Sequence, residues 1–201
     1  MAITNGYATL KTYKLYFFGG DTTDHEDDPV LEKKIETVSR AIDDITQKRF
    51  YATTETRYYT AESATKCRVD NLLSVTTLKT DENADRTYEY TWATTDYDLM
   101  PYNALLNAEP YQWIETAPLT NYYFPAARKG VEIAGSFGYS STTPPKIEEA
   151  CLLTAHRYMK RIGTPLGVSA SSELGEKQVI SAHIKADPDI MLLLVTYIPK
   201  L

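Results

Sequence analysis

The chain has 201 residues, 43% of them hydrophobic and 24% charged, which is typical of a globular protein with one or two cores. Its net charge of −6 gives no electrostatic reason for tight binding to a phosphate backbone. No apolar run is long enough to span a membrane. Two cysteines, Cys67 and Cys151, are too few for a disulfide framework, although a single bond between them stays open.

Two helices are predicted before residue 50. Thr9 can cap a short first helix, which Gly19 and Gly20 would end because glycine tolerates the left-handed turn. The second helix, over residues 29–48, begins at Pro29 with Asp28 as its N-cap. Apolar residues spaced four and three apart lay one stripe along it: Leu31, Ile35, Val38, Ile42 and Ile45.

Four consecutive residues that could bind a metal, His25 to Asp28, precede the second helix. Asp28 has a capping role, and Glu26 and Asp27 add negative charge at the positive end of the helix dipole. Adjacent residues cannot all aim at one ion without a special loop, and no other His or Cys lies nearby. We therefore interpret the cluster as a helix start, and the sequence predicts no metal ion and no cofactor.

Residues 51–140 are rich in Thr, Tyr and Val, and turn residues divide them into short runs. The polar segment 81–85 is predicted to be the tip of a hairpin. Evenly spaced short strands are typical of a small antiparallel sandwich or barrel. The predicted strands are Tyr51–Thr60, Lys66–Val69, Ser74–Thr80, Thr87–Thr91, Tyr97–Met100, Trp113–Thr116 and Val131–Phe137.

Helical periodicity returns over residues 145–163, after Pro144. Cys151 on its apolar side is expected to pack as a small hydrophobe, and His156 to be partly buried and hydrogen-bonded. Residues 167–177 are predicted to form a mobile linker, and residues 179–185 a strand. One side of the helix is traced by Ile147, Cys151, Thr154, Tyr158 and Ile162.

Sequence signatures of catalysis are missing. There is no Gly-rich phosphate loop, and the segment 135–138 is not a Gly-x-Ser-x-Gly nucleophile elbow. The three histidines, His25, His156 and His183, are far apart and share no ligand spacing. We therefore predict that the protein has no catalytic residue and is not an enzyme.

Four stretches together resemble the head–tail connector (adaptor) proteins of tailed bacteriophages: SRAIDDITQKRFY at 39–51, the hairpin region at 72–103, GVEIAGSFGYSSTTPPKIEEACLLTA at 130–155, and ADPDIMLLLVTY at 186–197. The resemblance implies a small helical bundle (29–48, 145–163 and 188–198), and the strand-rich residues between its first two helices add a large antiparallel β insertion, so the predicted fold is α+β. Residues 1–50 with 141–201 would form the helical core and C-terminal arm, and residues 51–140 the insertion. Compact family members have a short link instead, so they are a poor guide to the insertion.

The resemblance also implies a structural role in the virion, after assembly in the host cytoplasm. Twelve copies would form a ring that joins the portal to the next neck, stopper or tail protein. The viral DNA would pass through the channel without specific binding, and no membrane would be involved. The alternative is a Tyr- and Trp-rich β module that binds carbohydrate or protein, motivated by Trp92, Trp113 and the 16 tyrosines.

The last predicted helix begins after Asp187-Pro188 and is apolar nearly all the way round. A surface helix needs only one apolar stripe, so two imply burial on both sides. One side would pack on its own subunit, and the other on the portal or a neighbouring subunit, although a helix inserted wholly into its own core stays an alternative. The candidates for the portal or subunit interface are Ile190, Met191, Leu194, Val195, Tyr197 and Ile198.

Overall fold

The computed structural model describes residues 3–19, 26–162 and 187–199, together with the backbone of two short strands at 168–171 and 177–179. His25 and His183, and most of the predicted linker and strand at 167–185, lie outside the described residues. The chain divides into two compact units. One consists of residues 1–48 and 143–201, and the other of residues 49–142.

Within the described residues, the first unit contains four helices and one pair of short strands, which confirms the helical part of the predicted α+β fold. The strands β7 (Val168–Ser171) and β8 (Lys177–Val179) pair antiparallel, so the mobile-linker prediction for 167–177 is wrong where these strands lie. The helices are α1 (Leu10–Phe18), α2 (Asp28–Thr46), α3 (Pro145–Ile162) and α4 (Pro188–Leu194).

The helix ends follow local chemistry, with one correction. Thr9 accepts a hydrogen bond from the Thr12 amide (3.0 Å), and Gly19 ends α1 in the left-handed region, as predicted. Asp28 is not an N-cap but the first residue of α2, since Asp27 precedes the helix without a side-chain capping bond. The Asp28 carboxylate instead forms an ion pair with Lys14 (2.6 Å), so it joins α1 to α2.

The predicted apolar stripes bury the core of the helical unit. Leu31, Ile35, Val38 and Ile42 are buried on α2, where they face α3. Ile45 is only partly buried, and Thr46 takes the buried position, its hydroxyl donating to the Ile42 carbonyl (2.8 Å). Ile162 also departs from the prediction, because it is 59% exposed at the end of α3. The buried residues of α3 include Ile147, Ala150, Cys151, Thr154 and Ala155.

The second unit contains six strands, and the hairpin predicted around 81–85 is present because β2 and β3 pair antiparallel. The two runs predicted at 66–69 and 74–80 form one 15-residue strand, which is interrupted in its pairing by β-bulges rather than by a turn. The strands are β1 (Thr53–Tyr59), β2 (Lys66–Thr80), β3 (Tyr90–Trp92), β4 (Tyr97–Met100), β5 (Tyr111–Thr116) and β6 (Val131–Phe137).

These strands form one antiparallel sheet in the order β1-β6-β2-β5-β4, with β3 also paired to β2. One sheet accounts for all six strands of the unit, so a sandwich of two separate sheets is not formed, and the strand order does not pair β1 with β4 as a closed barrel would. The bulges let the long β2 pair β6 along one part and β5 along the other. Side chains alternate between buried and partly exposed along β6, so one face of the sheet carries the core. That core includes Leu72, Leu78, Trp92, Ile114, Phe124, Ile133 and Phe137.

Candidate functional site

The C-terminal helix α4 has one buried and one exposed side. Asp187 caps it by accepting hydrogen bonds from the amides of Asp189 (3.0 Å) and Ile190 (3.2 Å), and its carboxylate also pairs with Arg157 of α3. The helix ends at Leu194 and a turn follows, so it is shorter than the predicted range 188–198. Capping and the ion pair fix α4 on α3.

Burial separates the predicted interface residues into two groups. Ile190 and Leu194 are fully buried inside the helical unit, so they anchor α4 rather than face a partner. Val195 is 55% exposed, and Leu192, which the sequence analysis did not single out, is 73% exposed. Met191, Tyr197 and Ile198 are half-buried. The exposed apolar surface of α4 is therefore centred on Leu192 and Val195.

A second exposed apolar surface lies on α1. Leu15, Tyr16 and Phe18 are each more than half exposed, whereas Tyr13 and Lys14 on the other side are buried. The signal for this surface was present in the sequence, since α1 has more apolar residues than one stripe needs. A short helix that exposes this much apolar area is typical of an interaction surface.

The buried side of α1 closes a cleft of about 450 Å³ between α1, the start of α2 and the end of α3. The Tyr13 hydroxyl lies 2.8 Å from His156 Nδ1, and the Phe17 ring stacks on the imidazole with its centroid 3.9 Å away. Burial, with the nearby Asp27 charge, raises the pKa of Tyr13 to about 12, so its hydroxyl stays protonated at neutral pH. The predicted partly buried, hydrogen-bonded state of His156 is confirmed.

Electrostatics keep this histidine neutral. Burial lowers the pKa of His156 first, and the positive charge of Lys160, one turn along α3, lowers it further. The neutral imidazole forms its hydrogen bond to the Tyr13 hydroxyl through Nδ1, which commits that nitrogen to a structural bond. The contact between Tyr13 and His156 thus fastens α1 to α3, and the ion pair between Lys14 and Asp28 fastens α1 to α2.

The two tryptophans that motivated the carbohydrate-binding alternative do not offer free rings. Trp92 is buried, with Phe124 and Tyr122 stacked on it at 4.7 and 5.3 Å between centroids, and its Nε1 donates to Thr80 Oγ1 (3.0 Å). Trp113 is half-buried, and the Lys66 ammonium lies over its ring at 4.6 Å. The large apolar and aromatic side chains exposed in this unit are instead Tyr58, Tyr90, Tyr102, Leu105, Leu106, Leu119 and Tyr123.

Three carboxylates meet at the hairpin between β2 and β3, where the oxygens of Asp81, Asp85 and Glu89 lie within 4.8 Å of one another. The buried Asp81 accepts from the backbone amides of Ala84 (2.8 Å) and Arg86 (2.9 Å), which folds the loop. The Asn83 amide donates to both Asp85 and Glu89. These hydrogen bonds explain why the three carboxylates lie together, since they fold the loop.

The cysteines provide no nucleophile. Both thiols are free and fully buried. Burial raises the pKa of Cys67 to about 12 and that of Cys151 to about 11, so neither is a thiolate at neutral pH. The Cys151 thiol lies 3.6 Å from Ser39 Oγ and 3.8 Å from the Ile35 carbonyl oxygen. It is packed in the core of the helical unit, as the sequence predicts for a small hydrophobic residue.

Comparison with known proteins gives matches in structure alone, since no protein-family model and no curated protein sequence matches the chain. Among the described residues, no helix is both long enough and apolar enough to cross a membrane. A chain in the neck of an empty gene transfer agent (GTA) particle, computed with C6 symmetry, matches at 15% identity with a TM-score of 0.56. This match covers 100% of the present chain and 94% of the other.

Two further matches also cover 100% of the present chain. One is in the neck of a native GTA particle computed with C12 symmetry, at 18% identity, a TM-score of 0.53 and 93% coverage of that chain. The other is in the virion of a native GTA particle, at 17% identity, a TM-score of 0.57 and 94% coverage. The protein therefore shares its fold, from end to end, with chains of the GTA neck and virion.

Proposed function

We propose that the protein is a structural subunit of a ring in the neck of a tailed, phage-like particle. The observation that carries this proposal is the full-length likeness to GTA neck chains, because it includes the β unit as well as the helices. A structural role also agrees with the state of the reactive side chains. His156 is hydrogen-bonded to Tyr13, and both cysteines are buried thiols.

The proposed ring has twelve copies and is closed head-to-tail. The two GTA necks that contain the similar chains were computed with C6 and C12 symmetry. A twelve-fold ring is compatible with both, because C12 symmetry includes C6 symmetry. A closed ring requires two different surfaces on each subunit, since a contact between identical surfaces gives a two-fold dimer. The exposed apolar surfaces of α1 and α4 consist of different residues, so one could form such a contact while the other binds a further partner.

The proposed partners are the portal on one side and the next neck protein on the other. The exposed side of α4, centred on Leu192 and Val195, is the proposed portal-docking surface. Viral DNA would pass through the ring without specific contact, because a net charge of −6 per copy disfavours tight binding of phosphates. A gel-shift assay at physiological salt should show no tight duplex binding, and a steep salt slope at sub-micromolar affinity would contradict this part.

A matched pair of variants tests the docking surface. Leu192→Ser with Val195→Ser alters exposed side chains, so the free energy of unfolding should change by less than about 0.5 kcal/mol for each. Leu194→Ala instead leaves a cavity where a buried side chain was, and it should lower the free energy of unfolding by about 2–5 kcal/mol. If the first variant folds and still joins portal-bearing heads as well as the unmodified chain does, α4 is not the docking surface.

A further inference from the structure

A second cleft in the helical unit combines positive charge with apolar surface. It has a volume of about 330 Å³ and lies between α2 and the end of α3, lined by Lys34, Thr37, Tyr158, Arg161 and Ile162. No carboxylate is among these residues, and neither Lys34 nor Arg161 has an ion-pair partner within the described part of the chain. We call these five residues the basic cleft.

The basic cleft is unusual in a chain with a net charge of −6. Two unpaired cations beside an exposed isoleucine favour an acidic partner with some apolar surface, because such a partner would satisfy both features at once. Self-association of acidic chains also needs local complementarity, since the overall charges repel.

The same chain carries a segment of the opposite character. The loop at 81–89, the acidic loop, has four carboxylates against the single guanidinium of Arg86. Glu82, Asp85 and Glu89 are exposed, and none of them forms an ion pair with a cation of the described residues. The Asp81 hydrogen bonds to the backbone hold the loop in one conformation, so little conformational entropy would be lost on docking.

We propose that the acidic loop of one copy docks in the basic cleft of the next copy around the ring. This inference rests on the proposed ring and names one of its contacts. Cleft and loop are two different surfaces of one chain, so pairing them produces the head-to-tail contact that a closed ring requires. Lys34 and Arg161 would face carboxylates of the loop, and Ile162 and Tyr158 would contact its apolar atoms.

Charge reversal provides the test. One variant carries Lys34→Glu with Arg161→Glu, a second carries Glu82→Lys with Glu89→Lys, and a third carries all four changes. Self-association of the full chain is measured by sedimentation at low salt and high protein concentration. We expect each of the first two variants to associate about tenfold or more weakly, because like charges then meet at every interface.

The third variant should recover association, because every contact in a ring of identical chains again pairs opposite charges. Thermal unfolding of all three should match that of the unmodified chain, since the altered side chains are exposed or only partly buried. Recovery distinguishes the proposed occupant from any other acidic partner, because such a partner would not carry the compensating lysines.

Carbodiimide coupling identifies the contact directly. It joins a lysine amine to a nearby carboxylate, so mass spectrometry should find Lys34 coupled to the acidic loop between two copies. Lys34→Arg is the matched control, since it keeps the charge but removes the amine that couples. This variant should associate normally and lose the cross-link.

Two results would overturn the inference. If the chain associates but charge reversal has no effect, or reversal of the loop alone has none, another contact closes the ring and the proposed function stands. If the unmodified chain shows no association in solution or on portal-bearing heads, the ring and its contact fail together.

Discussion

Replacing Tyr13 tests the idea that its hydrogen bond to His156, 143 positions along the chain, helps to fasten α1 to the helical bundle. Tyr13→Phe keeps the ring, whose centroid lies 4.8 Å from that of Phe17, and removes only the hydroxyl that is hydrogen-bonded to His156. A net hydrogen bond contributes about 1 kcal/mol, so the free energy of unfolding should fall by about that amount. For a unit of about 100 residues, the Tm should fall by roughly 4–8 °C.

His156→Ala removes the same hydrogen bond and also the stacked contact with Phe17. Stacked aromatic pairs contribute about 0.5–1.5 kcal/mol, so the total loss should be about 2 kcal/mol. The double variant should lose little more than His156→Ala does, because the two residues share one bond, with a coupling energy of about 1 kcal/mol. Urea unfolding of the four chains, followed by circular dichroism, measures this coupling. Strictly additive losses would refute the proposed bond.

The same contact predicts a dependence of stability on pH. The folded protein lowers the pKa of His156 below its ordinary 6.5, so the unfolded chain takes up this proton first as the pH falls. The contribution of His156 to stability is therefore complete above about pH 6.5 and is lost as the pH falls through the folded pKa. His156→Asn offers an uncharged acceptor in place of Nδ1 and should remove this part of the pH dependence. An unchanged slope in that variant would contradict the neutral state of His156.

Further predictions concern the β unit, and each is checked by unfolding in urea. Gly135→Ala should destabilise the sheet by about 2 kcal/mol or more, because its Cβ would overlap the Ser74 carbonyl oxygen. Trp92→Ala should cost about 3–5 kcal/mol, since the indole is buried and stacks against two aromatic rings. Asp81→Ala should cost about 1–3 kcal/mol by releasing two backbone amides, whereas Glu82→Ala beside it should change stability by less than about 0.5 kcal/mol. Equal effects of the last two variants would contradict the structural role of Asp81.

Helix positions could be predicted from the sequence because periodicity and capping are local. The stripe from Leu31 to Ile42 and the Asp187-Pro188 start of α4 both depend on residues within a few turns of one another. The end of α4 was less predictable, since the apolar run continues to Ile198. Pro199 disfavours helical backbone at Ile198, so the last residue of the predicted range was a poor helix position, although this does not reach the observed end at Leu194.

The arrangement of the sheet could not be predicted, because strand pairing is a long-range property. The sequence predicts two strands, at 66–69 and 74–80, whereas β2 continues through the residues between them with bulges. Local alternation indicates which residues share a face, but it does not give the strand order or the number of sheets.

The candidate surfaces show the same division between local and long-range information. An all-round apolar C-terminal helix was evident in the sequence, but only packing shows that Ile190 and Leu194 are buried while Leu192 and Val195 are exposed. The Tyr13 partner of His156 had no local signal, since it lies on another helix.

The most direct test of the central claim is cryo-electron microscopy of assembled particles that contain this protein, viewed along the axis of the neck. We predict a closed ring of this chain between the portal and the next neck protein, with twelve-fold symmetry and two different surfaces meeting at each contact. A discrete two-fold dimer, or particles whose neck lacks the chain altogether, would contradict the account.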